Sequence, residues 1–129
     1  MQIEINDLDE TLTENFINFC CEELDIKPEI LTVDGWETPF PKNQKATGLC
    51  YEVNNGEYWI MTQTKNRNLT EVYITIAHEM VHVKQFIKQG LSDKYSDKRP
   101  HHDRWWEREA NAKSVELVKK YVDILYNMV

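Results

Sequence analysis

Residues 68–90 read NLTEVYITIAHEMVHVKQFIKQG, and this stretch decides the helical half of the fold. Asn68 and Glu71 have the spacing of a capping box, which predicts a helix that begins near Asn68. Gly90 predicts the end of the same helix, because glycine is the usual residue just past a helix C-terminus. The apolar side chains recur with helical period on one side, at Val72, Ile76, Met80, Val83 and Ile87. We therefore expect this side of the helix to pack on a core.

The other side of this helix carries the pattern His-Glu-x-x-His as His78, Glu79 and His82. Residues four apart point to the same side of a helix, so the two histidines can chelate one ion, and neutral imidazole suits Zn²⁺. Glu79 lies about 100° around the helix from His78, where it can miss the metal and still reach a metal-bound water. Zinc lowers the pKa of that water to about 7. The motif therefore predicts a zinc-dependent hydrolase with Glu79 as general base.

A catalytic zinc site uses three protein ligands, so a third ligand should come from elsewhere in the chain. The downstream candidates are His101, His102, Asp103, Glu107 and Glu109. On a final helix predicted over about 103–127, the residues within about 60° of Glu107 are Asn111, Ser114, Val118, Tyr121, Val122 and Leu125. Glu109 lies about 160° away, on a side that we interpret as the solvated face. Since a buried carboxylate needs a compensating cation, Glu107 is the preferred ligand, with the other candidates left open.

Several polar residues near these ligands are candidates for supporting roles. Asn111, one turn after Glu107, could hydrogen-bond a ligand histidine or could simply be hydrated. Candidates to stabilise the oxyanion of a tetrahedral intermediate are Tyr95, His101, His102 and Arg104. Each of these could instead be an exposed loop residue, which is the more common case.

The remaining elements predict an α+β domain that spans residues 1–129 as a single unit. We expect a first helix over 8–25, a short strand over 29–33 and a turn at Asp34-Gly35. An irregular loop over 36–45 precedes a hairpin of strands 47–53 and 57–62, joined at Asn54-Asn55-Gly56. Together these give a small antiparallel sheet with an N-terminal helix, an active-site helix and a long C-terminal helix.

Composition limits the classes of partner. The net charge of −7 argues against broad binding of nucleic acid. No apolar run approaches the roughly 20 residues that a membrane span needs, and the acidic N-terminus lacks a secretory signal, so we expect a cytoplasmic protein with no membrane partner. The three cysteines, Cys20, Cys21 and Cys50, form no CxxC pair, and we expect the first two to pack as small apolar residues.

Over residues 70–115 the chain resembles His-Glu-x-x-His metallopeptidases of the gluzincin type, whose third ligand is a glutamate on a following helix. Residues 107–112, EREANA, resemble the Glu-x-x-Ala-Asn element of ImmA/IrrE-type metallopeptidases. With Trp106 they also resemble the Trp-Glu-x-Glu-Ala element of small phage-encoded metallopeptidases. These likewise carry the pattern His-Glu-hydrophobic-Val-His-Val-Lys-Gln, which in this chain is HEMVHVKQ at 78–85. The ImmA/IrrE pattern continues as Phe-Ala-x-x-Leu-Leu, whereas residues 112–117 read AKSVEL, so the subfamily stays open.

This resemblance implies a minimal zincin-like fold in a phage or bacterial protein. It also implies zinc held by His78, His82 and Glu107, and a peptide or protein substrate. Strand 57–62 or its neighbour would bind that substrate by strand addition. Two alternatives stay open: a catalytically silent zinc-binding regulatory or interaction protein, and a SprT-like protease with His101 or His102 as third ligand. The sequence names no substrate, cleavage specificity or oligomeric state.

Overall fold

Three helices and four strands make up the computed structural model, which describes residues 1–41, 43–91 and 104–128. In chain order the elements are β1 (Gln2–Asn6), α1 (Glu10–Leu24), β2 (Ile30–Trp36), β3 (Gly48–Asn54), β4 (Glu57–Gln63), α2 (Leu69–Lys88) and α3 (Trp105–Asn127). The α+β class is as predicted. None of the helices in these ranges is long and apolar enough to cross a membrane.

The four strands form one sheet in the order β1-β2-β4-β3. β1 pairs with β2 and β2 pairs with β4 in parallel, whereas β3 and β4 form the predicted antiparallel hairpin. The sheet is therefore mixed, and the prediction of a small antiparallel sheet is wrong outside the hairpin. The predicted N-terminal helix is also not the first element, because β1 precedes α1. A parallel pair needs a long crossover connection, which α1 provides between β1 and β2.

β2 continues through the predicted turn at Asp34-Gly35. Both residues stay paired with β4, so the turn prediction is wrong. The Asp34 carboxylate accepts hydrogen bonds from the side chains of Asn6 at 2.8 Å and Trp59 at 2.7 Å. A Cβ atom on Gly35 would lie only 2.5 Å from the carbonyl oxygen of Asp7. Glycine at this position therefore permits a close approach of the segment after β1 and does not reverse the chain.

α2 is the central helix and contacts α1, α3, β3 and β4. Its ends are as predicted. The Asn68 side chain accepts a hydrogen bond from the backbone N–H of Glu71 at 2.8 Å, and the Glu71 carboxylate accepts one from the backbone N–H of Asn68 at 3.1 Å. Gly90 follows the helix with φ of 69°. This capping fixes where the first turn begins and so fixes which way the histidines point.

The apolar core lies between one face of the sheet and the three helices. Its fully buried members include Phe16, Ile17, Leu31, Val33, Ile60, Ile76, Met80, Val81 and Val83. Cys20 and Cys21 belong to the same cluster and all three cysteines are free, which confirms that the first two pack as apolar residues. The apolar side of α2 therefore faces this core, with Ile87 at its end 40% exposed.

α3 is buried over its first half only. Ser114 and Val118 are buried as predicted, whereas Val122 and Leu125 are 48% and 44% exposed. Tyr121 is the last residue of α3 that packs against the core cluster within the described part of the chain. The side of α3 that was predicted to face inward is therefore correct, but burial ends earlier than predicted because the last turns of α3 extend past the core.

Candidate metal centre

Two successive turns of α2 bring three ionisable side chains together. The Nε2 atoms of His78 and His82 lie 3.1 Å apart, and the candidate ligand atoms of His78, Glu79 and His82 lie within 4.8 Å of one another. The His82 side chain is 9% exposed and the His78 side chain 20%. The spacing of four residues places both rings on the same side of the helix, as predicted. This group could hold a metal ion.

The first turn of α3 supplies Glu107 to the same point. Its Oε2 lies 3.1 Å from Nε2 of His78, and its Oε1 lies 2.9 Å from Nε2 of His82. The Glu107 side chain is 13% exposed, so it lies mostly within the protein. The packing of α3 on α2 therefore brings together all three residues that the sequence predicted as ligands.

Glu107 and His82 form a charge pair at this point. Burial opposes the charged form of His82, but hydrogen bonding to Glu107 and the charge of Glu79 raise the pKa of His82 to about 9. Burial alone would also raise the pKa of Glu107, but hydrogen bonds from His78 and His82 hold it well below its usual range. Metal binding needs a neutral imidazole, so a bound cation would replace the proton of His82 as the charge that compensates Glu107.

Glu79 lies beside this pair and is buried. The residue is 4% exposed, and its Oε2 has no hydrogen-bond partner among the described residues. Burial raises the pKa of Glu79, although the two histidines oppose the shift. A buried carboxylate with a raised pKa is a stronger proton acceptor than an exposed one, which suits a general base.

β3 approaches α2 very closely at Gly48. A Cβ atom on Gly48 would lie 2.5 Å from Cγ2 of Thr75 and 3.3 Å from Cγ of Glu79. Any larger residue at position 48 would therefore displace the helix or the glutamate. Glycine here lets the edge strand form one wall of the site directly against Glu79, a role that sequence reasoning missed because it depends on the contact of β3 with α2.

Gln85 holds the His82 ring in place, and sequence reasoning also missed this role. Its Nε2 donates to the backbone carbonyl of Trp106 and to the carboxylate of Glu109, both at 2.9 Å. Because both partners are acceptors, they fix the orientation of the amide, and its Oε1 faces Nδ1 of His82 at 2.6 Å. Nδ1 must then be the donor, which leaves Nε2 of a neutral His82 free to bind a metal. The sequence feature that could have indicated this role is the position of Gln85, three residues after His82 on the same helix.

Glu109 is not on a solvated face, so that prediction is wrong. It is 32% exposed and lies against α2, with Lys84 at 3.4 Å, Gln85 at 2.9 Å and Gln89 at 3.3 Å. The reason is that α2 and α3 pack side by side, so side chains on both sides of their contact line reach the neighbouring helix. Glu109 supports Gln85 and makes no contact with the two histidines in the described structure.

A cleft of about 750 Å³ opens at this centre, between β3, α2 and the start of α3. Asn111 and Arg104 line it, as do the predicted ligands. Asn111 is exposed, as the hydrated alternative predicts, and the His82 ring is hydrogen-bonded by Gln85. Four further candidate residues lie outside the described part of the chain, namely Tyr95, His101, His102 and Asp103.

Comparison of the chain with protein-family models, with curated proteins and with solved structures found no match. Function therefore has to be inferred from the arrangement of the side chains.

Proposed function

We propose that the protein is a zinc-dependent metallopeptidase. The observation that supports this most directly is the convergence of His78, His82 and Glu107 on one point, with the buried Glu79 beside them. The first three residues would hold the metal, and Glu79 would act on the reacting water. A purely structural metal site would have no need of a buried carboxylate next to its ligands, one oxygen of which has no hydrogen-bond partner among the described residues.

The donor set favours zinc over other common ions. Two imidazole nitrogens and one carboxylate are ligands that catalytic zinc sites use, whereas Mg²⁺ and Ca²⁺ prefer oxygen donors throughout. Ligand atoms of a tetrahedral zinc with bonds of 2.0–2.1 Å are about 3.3 Å apart. The Nε2 atoms of His78 and His82 are 3.1 Å apart, which is close to this value, and each has one of the two Glu107 oxygens at 2.9–3.1 Å. Small rotations of the side chains would therefore suffice to bind the ion.

A zinc ion held by these residues would lower the pKa of a water molecule to about 7 and polarise the scissile carbonyl. Glu79 accepts the proton that the water loses as its oxygen bonds to the carbonyl carbon. The protonated Glu79 then donates this proton to the amine nitrogen as the C–N bond breaks. Burial raises the pKa of Glu79, which favours its accepting this proton.

β3 is the strand that would bind the substrate. The sequence predicts strand 57–62 or its neighbour as the strand that binds the substrate. The first of these is β4, which lies between β2 and β3 and therefore has no free edge. β3 is an edge strand, and Gly48, Leu49 and Cys50 line the cleft. An extended peptide added to this edge would form backbone hydrogen bonds with β3 and place a carbonyl near the metal centre.

The substitution Glu79→Gln tests this proposal. It preserves shape and leaves the three metal ligands in place, so the variant should bind one zinc ion per chain and lose about 10²- to 10⁴-fold in turnover. Turnover is measured on unfolded casein and on a peptide library, with new termini identified by mass spectrometry. Glu116→Gln, on the exposed part of α3, is the matched control and should keep full activity.

Two outcomes would contradict the proposal. Unchanged turnover in the Glu79→Gln variant would show that another group is the base. A zinc-loaded wild-type protein that hydrolyses none of these peptides would instead favour a catalytically silent metal-binding protein.

A further inference from the structure

The cleft differs in charge from the protein as a whole. The chain has a net charge of −7, yet the charged residues that line the described cleft are Lys45, Arg67, Arg104, Glu79 and Glu107. Both carboxylates belong to the metal centre, where Glu107 is paired with two histidines and Glu79 is buried. Away from the centre, the described lining of the cleft is therefore neutral or cationic.

Arg67 is fixed in this lining by uncharged acceptors. Its Nη1 donates to the carbonyl oxygen of Gln63 at 2.9 Å, and its Nη2 donates to the carbonyl oxygen of Glu71 at 3.0 Å and to Oγ1 of Thr75 at 2.7 Å. The Glu71 carboxylate is turned to the backbone N–H of Asn68. No carboxylate among the described residues lies within ion-pair distance of Arg67, so its positive charge is held in position and is not neutralised by any of these residues.

The guanidinium lines the same cleft as the metal centre. It carries five N–H groups, and three hydrogen bonds leave two N–H groups without an acceptor among the described residues. Thr75, which holds the guanidinium, precedes His78 by three residues, or about 4.5 Å along the axis of α2. Arg67 and His78 both line the cleft, so a ligand group on Arg67 would share the cleft with the metal centre.

We propose that Arg67 binds a carboxylate of the peptide substrate. This inference rests on the proposed function, because it assumes that the cleft accepts a peptide. A fixed and weakly hydrated guanidinium forms charge-assisted hydrogen bonds to carboxylates, and desolvation in a cleft strengthens them. Lys45, which is exposed on the same lining, adds to the positive potential that attracts such a group. The carboxylate is either the C-terminal α-carboxylate or an aspartate or glutamate side chain.

Calorimetric titration of the full-length, zinc-loaded Glu79→Gln protein tests this site without turnover. Three peptides are compared: acetyl-pentaalanine amide, acetyl-pentaalanine with a free α-carboxylate, and acetyl-Ala-Ala-Glu-Ala-Ala amide. We expect one or both acidic peptides to bind about tenfold more tightly than the neutral peptide. Adding Arg67→Gln should remove this preference, and adding Lys65→Gln, an exposed charge two residues away that does not line the cleft, should keep it.

The two acidic peptides distinguish the sources of the carboxylate. A preference for the free C-terminus alone assigns the α-carboxylate, and a preference for the glutamate peptide alone assigns a side chain. Arg67→Lys keeps the charge and should retain part of the preference, which provides a second variant if Arg67→Gln does not fold.

Equal binding of all three peptides by the protein with Arg67 intact would overturn the inference, as would a preference that survives Arg67→Gln. Because the assay measures binding, it separates this inference from the proposed function. A protein that shows the Arg67-dependent preference but whose Glu79-intact form hydrolyses nothing contradicts only the peptidase activity. A protein that hydrolyses peptides without any such preference contradicts only the carboxylate site.

Discussion

Replacing Gln85 with leucine should weaken both the fold and the binding of zinc. Gln85 is fully buried and makes hydrogen bonds of 2.6 Å to His82, 2.9 Å to the Trp106 carbonyl and 2.9 Å to Glu109. Leucine has a similar volume but can make none of them. The substitution therefore removes the polar link between α2 and α3 without leaving a large cavity.

The size of the effect follows from what each partner loses. Nδ1 of His82 would be left without its partner in a buried setting, which costs about 1–3 kcal/mol, and the Trp106 carbonyl would lose one hydrogen bond, worth about 0.5–1.5 kcal/mol. Glu109 is 32% exposed and keeps its contacts with Lys84 and Gln89, so losing its hydrogen bond to Gln85 costs little free energy. We expect the free energy of unfolding to fall by about 1.5–4.5 kcal/mol. Because the His82 ring also loses the bond that fixes its tautomer, zinc affinity should fall about 10- to 100-fold.

Two assays separate these effects. Urea unfolding of chelator-treated protein measures the fold alone, and zinc titration against a competing chelator measures the affinity. Gln89→Leu is the matched control, because Gln89 also bonds to Glu109 but does not contact His82. If the Gln85 variant binds zinc within about twofold of the Gln89 variant, Gln85 does not position the ligand ring, since loss of a ligand's supporting partner costs at least about tenfold.

The remaining predictions concern the ligands and the close contact of β3 with α2. Glu107→Ala should lose stoichiometric zinc while Glu109→Ala keeps it, as measured by metal analysis of untagged protein; full occupancy without Glu107 would move the third ligand to a histidine beyond the described residues. In chelator-treated protein, His82 keeps its proton in the folded state up to a pKa of about 9 but loses it near 6.5 when unfolded. Its contribution to stability is therefore complete below about pH 6.5, and about 3 kcal/mol should be lost as pH rises to about 9. Urea unfolding across this range measures the loss. If the free energy of unfolding falls with pH as steeply in Glu107→Gln as in the wild type, the charge pair is refuted. Gly48→Ala should lower the free energy of unfolding by about 1–3 kcal/mol through overpacking, and unchanged urea unfolding would contradict the close approach.

α2 could be predicted from the sequence because its signals are local. The capping box at Asn68 and the glycine at position 90 fix its ends, and the apolar period fixes its buried side. These features alone orient His78 and His82 on one side. Glu107 could be placed near them for a similar reason, since it lies on the side of α3 that leads into the buried Ser114 and Val118.

The sheet and the supporting contacts of the site could not be predicted in this way. β1 is a five-residue strand whose place depends on parallel pairing with β2, and local sequence does not report which strands pair. Gln85 lies on the polar side of α2 by periodicity, and only the packing of α3 makes it a buried link to the Trp106 carbonyl. Glu109 was assigned to solvent for the same reason, because the period of one helix does not show how much of it a neighbouring helix covers.

The coordination sphere of the zinc-loaded protein, measured in a high-resolution crystal structure, tests the central claim most directly. We predict one zinc ion bound by His78, His82 and Glu107, with a water molecule as the remaining ligand and Glu79 within hydrogen-bond distance of that water. A fourth protein side chain in place of the water would mark a structural site, and a protein that binds no zinc at these residues would contradict the proposed peptidase altogether.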